Sequence, residues 1–197
     1  MSHYYSEKPD SELKLRKVNE LIRGKELVFY LASGVFSAKR IDNGSRLLAE
    51  DSLIEPNWDV LDLGCGNGIV GIAVAKAELS AKVLLTDINE RAVKATKLNI
   101  KLNHADNATA KKSDGLKKLN NLFDTILFNP PQTAGRELCK ALIEEAKAHL
   151  KPGGSLQLVA RHNKGGKTLY NFMQELFGNG EVVSKSGGYR IYLCKNA

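Results

Sequence analysis

Two short segments hold residues that could act together on a ligand. Asp62-Leu63-Gly64-Cys65-Gly66-Asn67-Gly68 sets a carboxylate just ahead of three alternating glycines, and Asn129-Pro130-Pro131 follows the apolar run Phe123–Phe128. The glycines let the backbone turn sharply and approach a ligand closely. A helix after them would offer free N–H groups and a positive dipole end, suited to a carboxylate or a phosphate. Asp87 lies about 20 residues beyond the glycines, where an acid can hold ribose hydroxyls. Asp114 can accept a hydrogen bond from the exocyclic amine of an adenine. In the second segment the Asn129 side-chain carbonyl and the Pro130 backbone carbonyl are two acceptors for the N–H groups of a planar amine. Prolines fix φ and remove a donor, so this loop presents carbonyls. Acceptors aimed at charge developing on an attacking nitrogen are electrostatic preorganisation, and alignment supplies much of the rest of the rate. The two segments propose a nucleotide-like cofactor and an amine acted upon beside it.

The glycine pattern alone leaves the cofactor open. Gly66-Asn67-Gly68-Ile69-Val70-Gly71 also fits the G-x-G-x-x-G dinucleotide fingerprint. Asp62 weighs against a pyrophosphate, which its charge would repel, and favours a cation or an ammonium group. Asn-Pro-Pro has no part in hydride transfer. Cys65 is expected to contribute its backbone to the loop and not its thiol.

The elements that must position these residues alternate. Trp58–Leu63, Lys82–Ile88, Phe123–Phe128 and Ser155–Ala160 read as strands, with a weak strand at Asn107–Ser113. Helices are expected over Ile69–Glu78, from an Asn89 cap to about Asn103, over Arg136–Leu150, and along the stripe Leu169, Phe172, Met173, Leu176 and Phe177. In Arg136–Leu150 the residues Leu138, Leu142, Ala146 and Leu150 repeat every four positions, as a helix would have them, and Pro152-Gly153-Gly154 is expected to end it. Glu181–Ser184 and Tyr189–Cys194, joined by Gly187-Gly188, predict a closing hairpin. The expected fold is α/β: a Rossmann-like, doubly wound, mostly parallel seven-stranded sheet with a C-terminal antiparallel hairpin. Upstream, Leu13–Arg16 and Leu27–Leu31 alternate around Arg23-Gly24-Lys25 and predict a small N-terminal hairpin. Asp42-Asn43-Gly44-Ser45 is expected to open a short helix. The boundary is placed at Glu55-Pro56-Asn57, giving an extension of residues 1–55 and a main domain of 56–197. Ligands of such sheets bind where strand order reverses, past the strand C-termini.

Composition narrows the classes. A hydrophobic fraction of 43% over 197 residues suffices for a core without staples. Three scattered cysteines with no C-x-x-C argue against a disulfide scaffold and a zinc site, and fit a reducing cytoplasm; no metal is expected. No apolar run suits a signal peptide or a membrane span. Residues 1–57 hold nine Lys/Arg and nine Asp/Glu, so the whole net charge of +7 falls on residues 58–197. That excess suits either a polyanionic partner or a solvated lysine surface. Arg161–Lys167, basic and after a strand, fits both readings.

Taken in order, the motifs resemble class I S-adenosylmethionine (SAM)-dependent methyltransferases over roughly residues 56–195. Asp62–Gly68 looks like their motif I, Asp87 falls at the ribose-binding acid, Asp114 at the adenine-contacting acid, and Asn129-Pro130-Pro131 matches motif IV of the amine-methylating members. Ser33–Ser37 and Asp42–Ser45 resemble the entry of the small-domain branch, which includes ribosomal RNA guanine-N2 methyltransferases. An archaeal group of compact relatives opens with a segment like His3–Pro9. The resemblance implies Asn129, Pro130 and Pro131 as catalytic residues. It implies a SAM pocket of Phe36, Ser37, Asp42, Gly44, Asp62, Gly64, Cys65, Gly66, Gly68, Asp87, Ile88, Ser113, Asp114 and Asn129. It implies an RNA partner, with guanine N2 of ribosomal RNA as the target. One position departs from the family. An aromatic usually follows the second proline and stacks on the target base, whereas here stands Gln132. Phe36, Tyr4, Tyr5 or Tyr189 are alternative rings. Gln132 also keeps a protein glutamine or adenine-N6 substrate in view. More distant alternatives are an NAD(P)-linked oxidoreductase and a SAM-binding assembly factor without catalysis.

Overall fold

Strand β1 (Leu15–Ile22) and strand β2 (Lys25–Ala32) form the antiparallel hairpin that the alternating apolar residues predict. The computed structural model describes residue 12, residues 14–131 and residues 135–197. The segment His3–Pro9 and Gln132 therefore lie outside the described residues. Arg23 and Gly24 both have positive φ, 50° and 68°, the backbone of a two-residue turn whose twist suits the strands. A left-handed arginine is held there by its bonds: its backbone N–H donates to Glu50 Oε2 at 2.9 Å and its Nε to the Ala49 carbonyl at 2.6 Å. These contacts dock the turn on the end of α1 (Asn43–Asp51).

The main sheet follows from β-α alternation. Its elements are β3 (Asp59–Leu63), α2 (Ile69–Ala77), β4 (Lys82–Asp87), α3 (Glu90–Leu102), β5 (Ala108–Lys112), β6 (Phe123–Phe128), α4 (Arg136–Ala148), β7 (Leu150–Arg161), α5 (Lys167–Phe177), β8 (Glu181–Ser186) and β9 (Tyr189–Lys195). Strand order is β5-β4-β3-β6-β7-β9-β8. The first five strands pair in parallel, and β9 joins both β7 and β8 antiparallel, closing the sheet with the expected hairpin. The chain steps outward from β3 to β5, then returns to the other side of β3 as β6. Strand order thus reverses between β3 and β6, whose ends lead into the glycine loop and the Asn-Pro-Pro loop.

Alternating strand residues feed two apolar layers. Val60, Leu85, Leu127 and Val159 face β2, α1 and α2, while Leu61, Leu63, Ile126 and Phe128 face α4 and α5. The first layer runs unbroken into Leu27, Phe29 and Leu31 of the hairpin. The outer edge of β2 pairs with no strand among the described residues. Asn103 instead accepts from the Val28 N–H at 2.9 Å and donates to its carbonyl at 2.7 Å. Asn99 does the same for Tyr30, at 2.7 and 3.0 Å, and Asn67 accepts from the Ala32 N–H at 3.0 Å.

Two expectations need correcting around α4. The helix ends at Ala148, and Leu150 opens β7. Pro152-Gly153-Gly154 is therefore not a helix stop but a bulge inside a strand. Pairing with β6 jumps from Phe123↔Leu150 to Thr125↔Ser155 there, and a Cβ on Gly154 would stand 2.9 Å from the Phe123 carbonyl oxygen. The buried face of α4 is Cys139, Ile143 and Ala146, and Leu138 is exposed. A strict four-residue repeat slides around a helix of 3.6 residues per turn, so Leu138 turns out to solvent while Leu142 packs at the margin of the core.

Candidate functional site

The glycine loop is tied to its neighbours at both ends. Cys65 N–H donates to the Thr86 carbonyl at 2.9 Å, and Gly66 N–H donates to Asp87 Oδ2 at 2.9 Å. Gly68 caps α2 with φ 81°, and a Cβ there would meet Thr96 Cγ2 at 2.9 Å. Only glycine meets both demands. Asp87 Oδ1 accepts the Asn89 N–H at 2.8 Å, so the end of β4 and the start of α3 converge on one carboxylate. Burial pushes the Asp87 carboxyl up, opposed by backbone N–H groups of Asn89, Gly66 and Ile88. Asp62, at the end of β3, accepts the Gly71 N–H at 2.8 Å. Burial raises its carboxyl to about 7, Gly71 opposes the rise, and the charge of Asp87 adds to it.

Asn129 stands at the end of β6, one strand away. Its Nδ2 donates to Ser45 Oγ at 3.0 Å and approaches Asp42 Oδ2 at 3.4 Å. No described residue donates to its Oδ1 or to the Pro130 carbonyl. The Pro131 carbonyl takes only a long contact, 3.9 Å, from the Cys139 thiol.

One cavity joins the two loops, at the reversal point of the sheet. Every residue expected at the site lines it except Gly44 and Gly68. Those two act behind the wall: Gly68 turns the loop, and Gly44 lets α1 start against Tyr189, whose ring atom Cε1 would lie 3.0 Å from an added Cβ. Of the candidate rings, Phe36 is in the wall and 46% exposed. Tyr189 is not in the wall; it packs beside Gly44 and under the Arg161 guanidinium, 5.9 Å from the ring centre. Tyr4 and Tyr5 fall outside the described residues. Cys65 is buried, its thiol 3.6 Å from Thr96 Oγ1, and burial raises its pKa, in keeping with a backbone role.

The sequence reading missed several wall residues. Leu138 and Leu142 are apolar side chains of α4, the first exposed and the second at the margin of the core. Ser45 and Asn67 lie inside two of the motifs, but their residue types and spacing assign them no task. Thr86 carries the one buried side-chain oxygen without a hydrogen-bond partner among the described residues, and it too belongs to the wall. A cavity bearing a spare buried hydroxyl and two carboxylates at strand tips suits a polar ligand with hydroxyl and cationic groups.

An open α/β sheet with its cavity at the reversal of strand order, a glycine loop on one side and an Asn-Pro-Pro loop on the other, defines a nucleotide-cofactor enzyme fold. A family model described as "Methyltransferase small domain" matches residues 26–193. The chain belongs to the methyltransferase small domain family. It is 36% identical over 197 residues to the uncharacterized protein YbxB of Bacillus subtilis, covering 98% of each. It is 32% identical to ribosomal RNA small subunit methyltransferase C of Haemophilus influenzae, covering 96% of this chain and 58% of that protein. Among solved structures, the 16S rRNA N2 methyltransferase of Thermus thermophilus, in complex with AdoMet and guanosine, superposes with a TM-score of 0.80 at 26% identity. That match covers 96% of this chain and 52% of the other. The chain thus spans about half the length of the ribosomal RNA methyltransferases it resembles. A methyltransferase of Pyrococcus furiosus matches with a TM-score of 0.65 at 26% identity, over 77% of this chain and 80% of that one.

Proposed function

We propose that this protein is a SAM-dependent methyltransferase acting on an exocyclic amine of RNA, with guanine N2 of ribosomal RNA as the target. The observation that carries the reading is the Asn129 Oδ1 atom, which has no donor among the described residues and lies in the wall of the cavity that the glycine loop also lines. SAM, when bound, supplies a methyl group on a positively charged sulfur. Asp87, with an oxygen on each loop, would hold ribose hydroxyls, and Asp62 would face the cationic end. Thr86 offers its unpaired hydroxyl, and Asp114 stands where an adenine amine can donate.

Toward the substrate, the Asn129 and Pro130 carbonyl oxygens would each take one N–H of the amine. Both pulls localise the nitrogen lone pair, which a ring otherwise delocalises, and aim it along the displacement path. The nitrogen becomes cationic as the new N–C bond forms and the S–C bond breaks. Its surplus proton is acidic enough for water to accept, so no side-chain base is required. In this reading residues 56–197 carry the transfer site, and residues 1–55 add the wall around Phe36, Ser37 and Asp42.

RNA is favoured by the surface beside the crevice. Arg161, Lys164, Lys167, Lys185 and Arg190 cluster around the ends of β7, β8 and β9, and none pairs with an acidic group among the described residues. Their field is felt locally: burial and then Arg190, Lys167 and Lys185 hold the His162 pKa below its usual value. An RNA of the ribosome would place the protein in the cytoplasm.

The test is transfer of labelled methyl from SAM into RNA and into protein extract. RNA is expected to be labelled at guanine N2, and label confined to protein would overturn the substrate. Asn129→Ala should keep SAM affinity within about threefold and lose 10²-fold or more in kcat, the scale of a lost transition-state hydrogen bond. Unchanged kcat would remove the clamp.

A further inference from the structure

We infer that Asp42, assisted by Ser45, is a positioning residue that decides which end of the Asn129 amide faces the substrate; the inference rests on the amine-methylating reading above. A carboxamide is nearly symmetric in shape, with oxygen at one tip and NH₂ at the other. Turned one way, Asn129 accepts an N–H from the target amine. Turned the other way, it confronts that amine with a second donor. Shape cannot choose between them, so the neighbours must.

Asp42 makes the choice. An ionised carboxylate offers lone pairs only, so the tip beside Asp42 Oδ2 must be the NH₂, at 3.4 Å, and Ser45 Oγ takes the same NH₂ at 3.0 Å. Oδ1 is then the tip left for a ligand. The carboxylate itself cannot swing away. Its other oxygen accepts the N–H groups of Gly44 and Ser45, at 2.8 and 3.2 Å, as the N-cap of α1. Helix α1 is fixed in turn by Leu48 and Ala49 in the core and by Arg23 on its last turn. Gly44 acquires a reason here, although it does not line the cavity. A side chain at this position would begin 3.0 Å from both Asp42 Oδ1 and the Tyr189 ring, and would push the cap off its helix. The contact joins residues 42 and 129, which come from different segments of the fold, so the motif around Asp42 serves the motif around Asn129. A negative partner on the NH₂ also sends electron density toward Oδ1, which strengthens it as an acceptor.

Asp42→Asn isolates this role, since asparagine caps a helix about as well as aspartate. The variant should fold with an unshifted melting temperature and, with SAM saturating, lose at least tenfold in kcat with KM for RNA little changed. In combination with Asn129→Ala it should cost nothing more, because the residue it positions is gone. Full kcat in Asp42→Asn, additive losses in the double variant, or a loss that saturating SAM restores would each overturn the inference. A readout free of turnover keeps it separate from the substrate assignment. In ¹⁵N-labelled protein the Asn129 NH₂ resonances, identified by their loss in Asn129→Ala, should shift upfield and exchange faster with solvent in Asp42→Asn. Unmoved resonances would sink the positioning role whatever the substrate proves to be. Shifted resonances in a protein that methylates no RNA would uphold it and sink only the substrate.

Discussion

Asp62 is 3% exposed and lines the cavity at the tip of β3. Its carboxyl ionises near 7 in the fold, mainly through burial, against about 4 in an unfolded chain. The folded protein therefore holds a proton that the unfolded chain releases between those values. The stability contribution is fully present below about pH 4 and is lost as pH rises through 7. A cationic ligand favours the ionised form, so binding must expel the proton wherever it is still held. SAM affinity should then be roughly tenfold weaker at pH 6 than at pH 8, by linkage to a group ionising near 7. Asp62→Asn should flatten that profile relative to the parent, as titration calorimetry would reveal; parallel profiles would mean Asp62 does not sense the ligand. Asp62 and Asp87 were legible in the sequence because a carboxylate at a strand tip beside glycines has little reason to be there for packing. Thr86 and Ser45 were not legible. Their significance lies in what their hydroxyls touch or fail to touch, and those neighbours come from other elements of the chain.

Among the elements, α3 does the least obvious task. Asn99 is fully buried and bonds both backbone groups of Tyr30 and the carbonyl of Asn67. Asn99→Ala would strand these groups, part-buried at Tyr30 and buried at Asn67. The expected loss is about 2–3 kcal/mol, since each orphaned polar group costs on the order of 1–3 kcal/mol and some will find water. Urea titration would measure it, and a change below about 0.5 kcal/mol would show that the amide bonds are dispensable. Helix α2 is similarly demanding at Gly71, where a Cβ would lie 2.5 Å from Leu85 Cδ2 and 3.0 Å from Asp62 Oδ2. Gly71→Ala should cost about 1–3 kcal/mol by overpacking and weaken SAM binding as well, because it displaces Asp62. Calorimetry on the folded variant would detect the second effect; undiminished affinity would separate α2 packing from the site. The alternating strands and helices were readable because hydrophobic period separates them. The α4 boundary was not, since Leu150 suits a helix stripe and a strand equally and only pairing with Phe123 selects the strand. Asparagines serving as a substitute strand leave no periodic trace, so the union of hairpin and α3 was invisible.

At the scale of the molecule, the charge surplus of residues 58–197 has a location. Lys185 and Arg190 face each other across β8 and β9, Arg161 ends β7 next to the strand that bears Asn129, and Lys164 lies in the turn that follows. Binding of a single-stranded RNA should weaken with salt, with a log–log slope of about −0.7 per phosphate contacted. Replacing Lys164 and Lys185 by serine should reduce the slope by roughly 1–1.5 and leave SAM affinity unaltered. A slope that stays put would move the RNA path elsewhere. No described helix is long and apolar enough to cross a membrane.

The amides along β2 carry one more implication. A bare strand flank is a template on which another copy of a chain can lay its own backbone. Here Val28, Tyr30 and Ala32 have their outward N–H groups already occupied. Along Val28–Ala32 on that side, the hairpin leaves a newcomer no free donor to pair with.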